Sequence, residues 1–129
     1  MIIKRLSLIA ALLIITLSSY GQDSETSKVS PKAMEMAKKS DEMMKAALEL
    51  TEEQIPVISK MNVEFSERMV VLYEKPGSLF AKVDDMKKIG KERKAKLEEV
   101  LTPEQMKLFK KKLEGKMRKE MRKILKKDS

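Results

Sequence analysis

The side chains of this protein offer little chemistry. Its 129 residues include no histidine and no cysteine, which excludes thiol nucleophiles, imidazole bases, disulfides and the usual zinc ligands. The 20 carboxylates are scattered among 28 lysines and arginines on helix-like segments. General acid–base catalysis usually depends on a histidine or on a carboxylate with a shifted pKa. We therefore expect no enzyme activity, no cofactor and no metal site.

Two short segments share the pattern LTxEQ, and each stands where a new helix should begin. They are residues 50–54, LTEEQ, and residues 101–105, LTPEQ. The threonine hydroxyl of such a segment accepts from the backbone N–H three residues on, and the glutamine reaches back to the threonine N–H, which makes a capping box. The leucine before the cap completes a hydrophobic staple. We interpret six residues as structural: Leu50, Thr51, Gln54, Leu101, Thr102 and Gln105.

The composition predicts an all-α fold with four helices. Glycine occurs only four times, aromatic residues make up 4% and charged residues 37%, and the abundant Lys, Glu, Leu, Met and Ala are good helix formers. The first helix should end near Glu49, and the breaker at residues 75–78 ends the second. The cap and turn signals place the four helix starts at Ser30, Thr51, Leu79 and Thr102.

Apolar residues at helical spacing predict which faces are buried. The predicted stripe of the first helix consists of Ala33, Met34, Ala37, Met44, Ala47 and Leu48. The third helix has a heptad-like seam at Leu79, Val83, Met86, Gly90, Arg93, Leu97 and Val100. The fourth continues the spacing at Met106, Phe109, Leu113, Met117, Met121 and Ile124. Two methionines, Met36 and Met43, fall off the first stripe and are expected to be exposed.

The first 21 residues match a signal peptide. Lys4 and Arg5 precede an apolar run over residues 6–17, which is the length of a signal-peptide core. We expect cleavage before Gln22, export to the periplasm, a disordered tether at residues 22–29 and a helical domain at residues 30–127. The alternative is a retained membrane anchor, although the run is shorter than the roughly 20 residues that a spanning helix needs.

Two LTxEQ segments in a small exported helical chain resemble the Spy/CpxP family of periplasmic LTxxQ proteins. The similarity covers about residues 45–120 and is best over residues 94–117. It implies four helices in an elongated, curved hairpin arrangement, paired as an antiparallel homodimer. It also implies an ATP-independent chaperone of envelope stress that binds unfolded or misfolded envelope proteins. Some relatives instead restrain an envelope-stress sensor kinase, and others bind metals through histidines, which this chain lacks.

Charge is unevenly distributed along the chain. Residues 22–74 carry a net charge of −4 and residues 75–129 carry +10. Such a basic half attracts acidic clients or, more weakly, the anionic headgroups of a membrane surface. Nucleic acid is not expected, because no aromatic residues interleave with the basic ones. The basic half could equally be a solvated surface with no partner.

Three functions follow from these observations. The first is a chaperone that holds non-native chains on adaptable methionines beside cations. The second is a regulatory protein that docks on the periplasmic domain of a sensor kinase, and the third is a membrane-surface helical protein without clients. For the chaperone we predict client contacts at Met36, Met43, Met86, Arg93, Lys96, Lys110 and Met117.

Overall fold

The computed structural model describes residues 29–127. The predicted signal peptide at residues 1–21, its cleavage site and residues 22–28 of the predicted tether lie outside the described residues. Val29 had been assigned to the tether, but it packs against a buried apolar cluster. The packed part of the chain therefore begins one residue earlier than predicted.

Residues 29–127 are all-α, with four helices and no strand. Helix α1 is Pro31–Leu48, helix α2 is Gln54–Glu74 and helix α3 is Leu79–Val100. Helix α4 begins at Pro103 after a two-residue connection and ends at Lys126. The all-α prediction and the number of helices are confirmed, and each helix starts within three residues of its predicted position.

Local capping explains most helix ends. Ser30 accepts from the Ala33 N–H at 3.1 Å with Pro31 at the first helical position, as the sequence predicts. Ser78 caps α3 in the same way, accepting from the Ala81 N–H at 3.2 Å. Glu49 ends α1 in the left-handed region, with φ 53°, a conformation that terminates helices.

Helix α4 is interrupted by a π-helical turn. It is α-helical over Pro103–Leu108, π-helical over Phe109–Leu113 and α-helical again over Glu114–Lys126. Phe109, Leu113, Met117 and Met121 all lie in the core, although three consecutive steps of four residues would each drift about 40° around an α-helix. The wider π turn absorbs this drift, so the predicted apolar spacing stays on one face.

Neighbouring helices run antiparallel. Helix α2 packs against both α1 and α3, and α4 packs against α1. Helix α3 contacts the first turns of α4 near their connection, and farther along the two helices Lys94 pairs with Glu114 at 3.0 Å. Both LTxEQ segments lie at one end of the molecule. The other end holds the α2–α3 turn and the two ends of the described chain, where Lys32 donates to the Leu125 and Lys127 carbonyls at 3.2 and 2.8 Å.

Two apolar clusters make up the core. The first lies at the LTxEQ end and draws on all four helices: Met44, Leu48, Ile58, Leu97, Leu101, Met106, Phe109, Leu113 and Met117. The second joins α1, α2 and α4 at the opposite end: Ala33, Met36, Val70, Met121, Ile124 and Leu125. Because no residue of α3 belongs to the second cluster, the first half of α3 is supported mainly by α2.

The predicted faces of α1 and α3 need correction. In α1 the buried residues step through Ala33, Met36, Ser40 and Met44, so Met36 is buried and Met34 is 39% exposed. The buried residues of α3 are Lys82, Ile89 and Leu97. The predicted seam thus turns outward over its first two turns, where Leu79 and Val83 are 46% and 38% exposed. Both predictions assumed that buried positions hold apolar residues. Ser40 in α1 and Lys82 in α3 are buried although they are polar.

Candidate functional site

The two LTxEQ segments bond to each other through their glutamines. Gln54 Nε2 donates to Gln105 Oε1 at 2.8 Å, and Gln105 Nε2 donates to Gln54 Oε1 at 3.0 Å. Each oxygen also accepts from the threonine N–H of its own segment, at 3.0 Å for Thr51 and 2.9 Å for Thr102. Both threonine hydroxyls accept from their glutamine N–H at 3.1 Å. The two predicted capping boxes are therefore present, and they are joined.

Each glutamine also donates a hydrogen bond to the last turn of a helix that ends beside the other LTxEQ segment. Gln54 Nε2 donates to the Val100 carbonyl at the end of α3, at 3.0 Å, and Gln105 Nε2 donates to the Leu48 carbonyl at the end of α1, at 3.1 Å. The last carbonyls of a helix have no partner within it, so these bonds satisfy acceptors that water would otherwise bind. Residues 49–54 and 101–105 thus form one unit, which we call the glutamine joint.

A polar chain crosses three helices around the buried Asn62, and its other members are half-buried. Arg93 Nη2 of α3 donates to Asn62 Oδ1 of α2 at 2.7 Å. Asn62 Nδ2 in turn donates to Asp41 Oδ1 of α1 at 2.7 Å, and Ser59 donates to the other oxygen of Asp41 at 3.0 Å. Buried polar groups of this kind are stable only when they bond to one another. This polar chain therefore fixes how α1, α2 and α3 align.

The Arg93 guanidinium lies between aromatic rings. Its carbon is 4.2 Å from the centre of the Phe65 ring and 5.9 Å from that of Phe109, so ring faces replace part of its hydration. Burial lowers the pKa of Arg93 to about 10, against the opposing effect of Glu114 and Asp41. The side chain remains charged at neutral pH, and its Nε is buried without a hydrogen-bond partner.

A groove of about 300 Å³ lies between α2 and α3 above Arg93. Its apolar residues are Met61, Phe65 and Ile89. Its rim carries an ion pair between Arg68 and Glu92 at 2.7 Å, and the hydrogen bond from Arg68 lowers the pKa of Glu92. Since the cations of the rim face carboxylates, the groove offers no net charge to an ionic ligand.

The predicted client contacts do not share one surface. Met36 and Met117 belong to the core, with 0% and 1% of their surface exposed, so neither is on the surface as a client contact requires and the expected exposure of Met36 is wrong. Met43 is half-buried against the first cluster, and Arg93 belongs to the polar chain. Met86 is also half-buried, whereas Lys96 and Lys110 are exposed and face Glu64 and Glu98 at 3.9 and 3.8 Å.

An exposed apolar surface occupies the start of α3. Phe80 is 90% exposed, and Leu79 and Val83 on either side of it are 46% and 38% exposed. We call these three residues the apolar tip. Sequence analysis placed Leu79 and Val83 in the core and did not single out Phe80. The signal was present, since Phe80 stands off the predicted seam in the first turn of the helix.

Lys82 holds the apolar tip against α2. Its side chain is 7% exposed, and its Nζ donates to the carbonyls of Tyr73, at 2.8 Å, and Lys75. Both carbonyls lie at the end of α2, where a cation also meets the negative end of the helix dipole. The lysine therefore joins the two helices at the base of the tip, which keeps Phe80 directed to solvent.

The outer side of α4 is strongly basic. Residues 103–126 contain ten lysines and arginines, all of them exposed, and three glutamates. Lys110, Arg118 and Lys123 form ion pairs. The other seven form no ion pair within residues 29–127, and we call them the basic face: Lys107, Lys111, Lys112, Lys116, Lys119, Arg122 and Lys126.

Two further features were sought among residues 29–127. No helix there is both long enough and apolar enough to cross a membrane. No three side chains of the kinds that ligate metals come together in that part of the chain.

The fold and the site define an all-α, four-helix protein in which two LTxEQ segments lock the helix connections together. Comparison with family models, with characterised proteins and with solved structures gave no match.

Proposed function

We propose that this protein is an exported, ATP-independent chaperone that holds non-native proteins through the apolar tip. The observation that carries the proposal is the exposure of Phe80, which is 90%, beside the exposed parts of Leu79 and Val83. Burying a phenylalanine side chain contributes about 2 kcal/mol. A folded chain that leaves such a side chain in water has that free energy available for a partner with apolar surface.

Weak binding at the tip is compatible with release without ATP. Burying the exposed parts of the three apolar side chains against a client contributes about 4 kcal/mol, before the cost of association is subtracted. Such contacts suit unfolded chains, because any exposed apolar segment satisfies them. Clients that fold bury those segments, and the contacts are then lost.

Three further parts of the proposal rest on the signal-peptide pattern of residues 1–21 and on the resemblance to the Spy/CpxP family. The chain is exported through its first 21 residues, it works in the periplasm, and it pairs as an antiparallel homodimer. The mass of the purified exported protein tests export, since cleavage leaves Gln22 at the N-terminus. Light scattering at two protein concentrations measures whether that protein is a monomer or a dimer.

The chaperone proposal is tested by diluting a chemically denatured client into buffer without ATP and recording light scattering. The exported protein should suppress aggregation. Phe80→Ser should raise the amount needed roughly 30-fold, the equivalent of losing the burial of one aromatic side chain. Val57→Ser is the matched control, because Val57 is also exposed, at 39%, but lies at the start of α2.

Circular dichroism establishes that both variants remain folded. No suppression by the folded wild-type protein would reject general chaperone activity and favour a regulator with one specific partner. Equal losses for Phe80→Ser and Val57→Ser would leave chaperone activity in place and reject the apolar tip as its site.

A further inference from the structure

We propose that the basic face of α4 binds an anionic lipid surface. The inference is independent of the chaperone proposal, because it uses a different helix. The apolar residues of α4, among them Met117, Met121 and Ile124, are buried against the rest of the protein. Lys119, Arg122 and Lys126, spaced three and four residues apart, therefore point away from the core.

The charge on this face extends along the helix. Residues 103–126 span about 36 Å at 1.5 Å per residue, and the unpaired cations occur from Lys107 to Lys126. A cavity beside them, lined by Leu101, Met106, Lys107 and Lys110 among others, lies at the start of the helix. A small anion would contact one or two of these cations, whereas a charged surface contacts many.

The residue types on the face favour lipid over protein. Lysine outnumbers arginine by eight to two in residues 103–126, and lysine is depleted at protein interfaces, whose centres are apolar. Leu108, at 38%, is the large apolar residue that α4 exposes. Clusters of four to eight lysines and arginines on a helix are typical of binding to acidic headgroups, at about 1 kcal/mol per cation.

The residue types also disfavour nucleic acid. Single strands are held by bases stacking on exposed aromatic rings, and the phenylalanine of α4, Phe109, is 2% exposed. The net negative charge of residues 22–74 favours an orientation in which α4 faces the lipid. Helix α2 has three glutamates and two cations, so it would be repelled from an acidic surface that attracts α4.

The test is co-sedimentation of the exported protein with vesicles. One set contains about 30 mol% phosphatidylglycerol in phosphatidylcholine, and the other contains phosphatidylcholine alone. Binding should require the acidic lipid and should fall when salt rises from about 50 to about 300 mM, because screening shortens the reach of each charge.

Two triple variants locate the binding. Lys119→Gln with Arg122→Gln and Lys126→Gln should weaken binding to acidic vesicles on the order of 100-fold, about fivefold per cation. The matched control is Lys45→Gln with Lys60→Gln and Lys91→Gln. It removes the same charge from exposed positions on α1, α2 and α3 that form no ion pair within the described residues, and it should bind within about threefold of wild type.

Three outcomes would overturn the inference. Equal binding to both vesicle types would show that acidic headgroups are not recognised. Equal losses in the two triple variants would show that net charge, and not α4, sets the binding. Tighter binding to polyglutamate or to single-stranded DNA than to acidic vesicles, at matched charge concentration, would assign the face to an acidic polymer.

Discussion

Gln54 and Gln105, 51 residues apart in the chain, each donate to the side-chain oxygen of the other. Both amides are fully used, since each nitrogen also donates to a helix-end carbonyl and each oxygen also accepts from a threonine N–H. The pattern is symmetric on exchange of the two segments. One pair of side chains thus caps the starts of α2 and α4 and satisfies carbonyls at the ends of α1 and α3.

Truncating either glutamine should destabilise the protein. Gln105→Ala removes both bonds between the two amides, so that Gln54 keeps only the Val100 carbonyl and the Thr51 N–H as partners. It also removes the donor to the Leu48 carbonyl and half of a capping box. We expect a loss of about 1–3 kcal/mol in the free energy of unfolding, measured by urea titration. Gln54→Ala should give a loss of similar size, because the bonds are symmetric.

The double variant measures the bond between the two glutamines. Gln54→Ala with Gln105→Ala should cost about 1–2 kcal/mol less than the sum of the single variants. Glu104→Ala, at an exposed position of the same segment, is the control and should change stability by less than about 0.5 kcal/mol. Additive losses would mean that the two amides act separately.

Arg93 should be required for its shape as well as its charge. Arg93→Leu leaves the buried Asn62 Oδ1 unpaired and removes a cation from between two rings, for an expected loss of about 1–3 kcal/mol in urea unfolding. Arg93→Lys keeps the charge but loses the planar contact with Phe65, so it should also lose more than about 1 kcal/mol. Wild-type stability of Arg93→Lys would contradict this account.

The π turn predicts losses of very different size for two deletions in α4. Removing Lys111 from within Phe109–Leu113 should convert the π turn to α-helix with the flanking residues still in the core, at a cost within about 1 kcal/mol. Removing Lys116 from the α-helical part should rotate the core residues on its two sides relative to each other by about 100°. That deletion should cost several kcal/mol or prevent folding.

These deletions are matched, because each removes one exposed lysine from α4. Circular dichroism and the urea midpoint compare them directly. Equal destabilisation by the two deletions would mean that the π turn does not act as an inserted residue.

Lys82 should control the mobility of the apolar tip. Lys82→Met keeps the apolar stem but removes two hydrogen bonds to the end of α2, for an expected loss of about 1–2 kcal/mol. Hydrogen exchange of the peptide that spans the α2–α3 turn should then accelerate more than exchange in α1. The control is Lys87→Met, at an exposed position of α3, which should leave hydrogen exchange unchanged both in the turn and in α1. Faster exchange of the turn in this control would mean that Lys82 does not hold the apolar tip.

Helix positions could be predicted because their signals are local. Ser30 with Pro31 and Thr102 with Pro103 start helices through bonds that span three residues, and the breaker at residues 75–78 ends α2 one residue before it. Spacing also identified the buried face of α4, which is apolar throughout. It gave no bounds for the π turn, although the repeated steps of four residues were visible in the sequence.

Helix faces were harder to predict where polar residues are buried. Ser40, Asn62, Ser66 and Lys82 occupy buried positions, and most of them are satisfied by partners on other elements. The capping boxes followed from spacing, but the bond between Gln54 and Gln105 depends on the packing of four helices. The available signal for that bond was that two segments share the LTxEQ pattern, since a glutamine amide can both donate to and accept from a second one.

The neighbouring ends of the described chain have a consequence for connectivity. Lys32, near the start of α1, bonds to the carbonyls of Leu125 and Lys127 after the end of α4, and the turn at Pro76 and Gly77 lies at the same end of the molecule. A short linker from residue 127 to residue 29, with the chain opened at that turn, would produce a circular permutant in the order α3, α4, α1, α2. Every packing contact could survive this rearrangement, because the glutamine joint ties the halves together regardless of which is synthesised first.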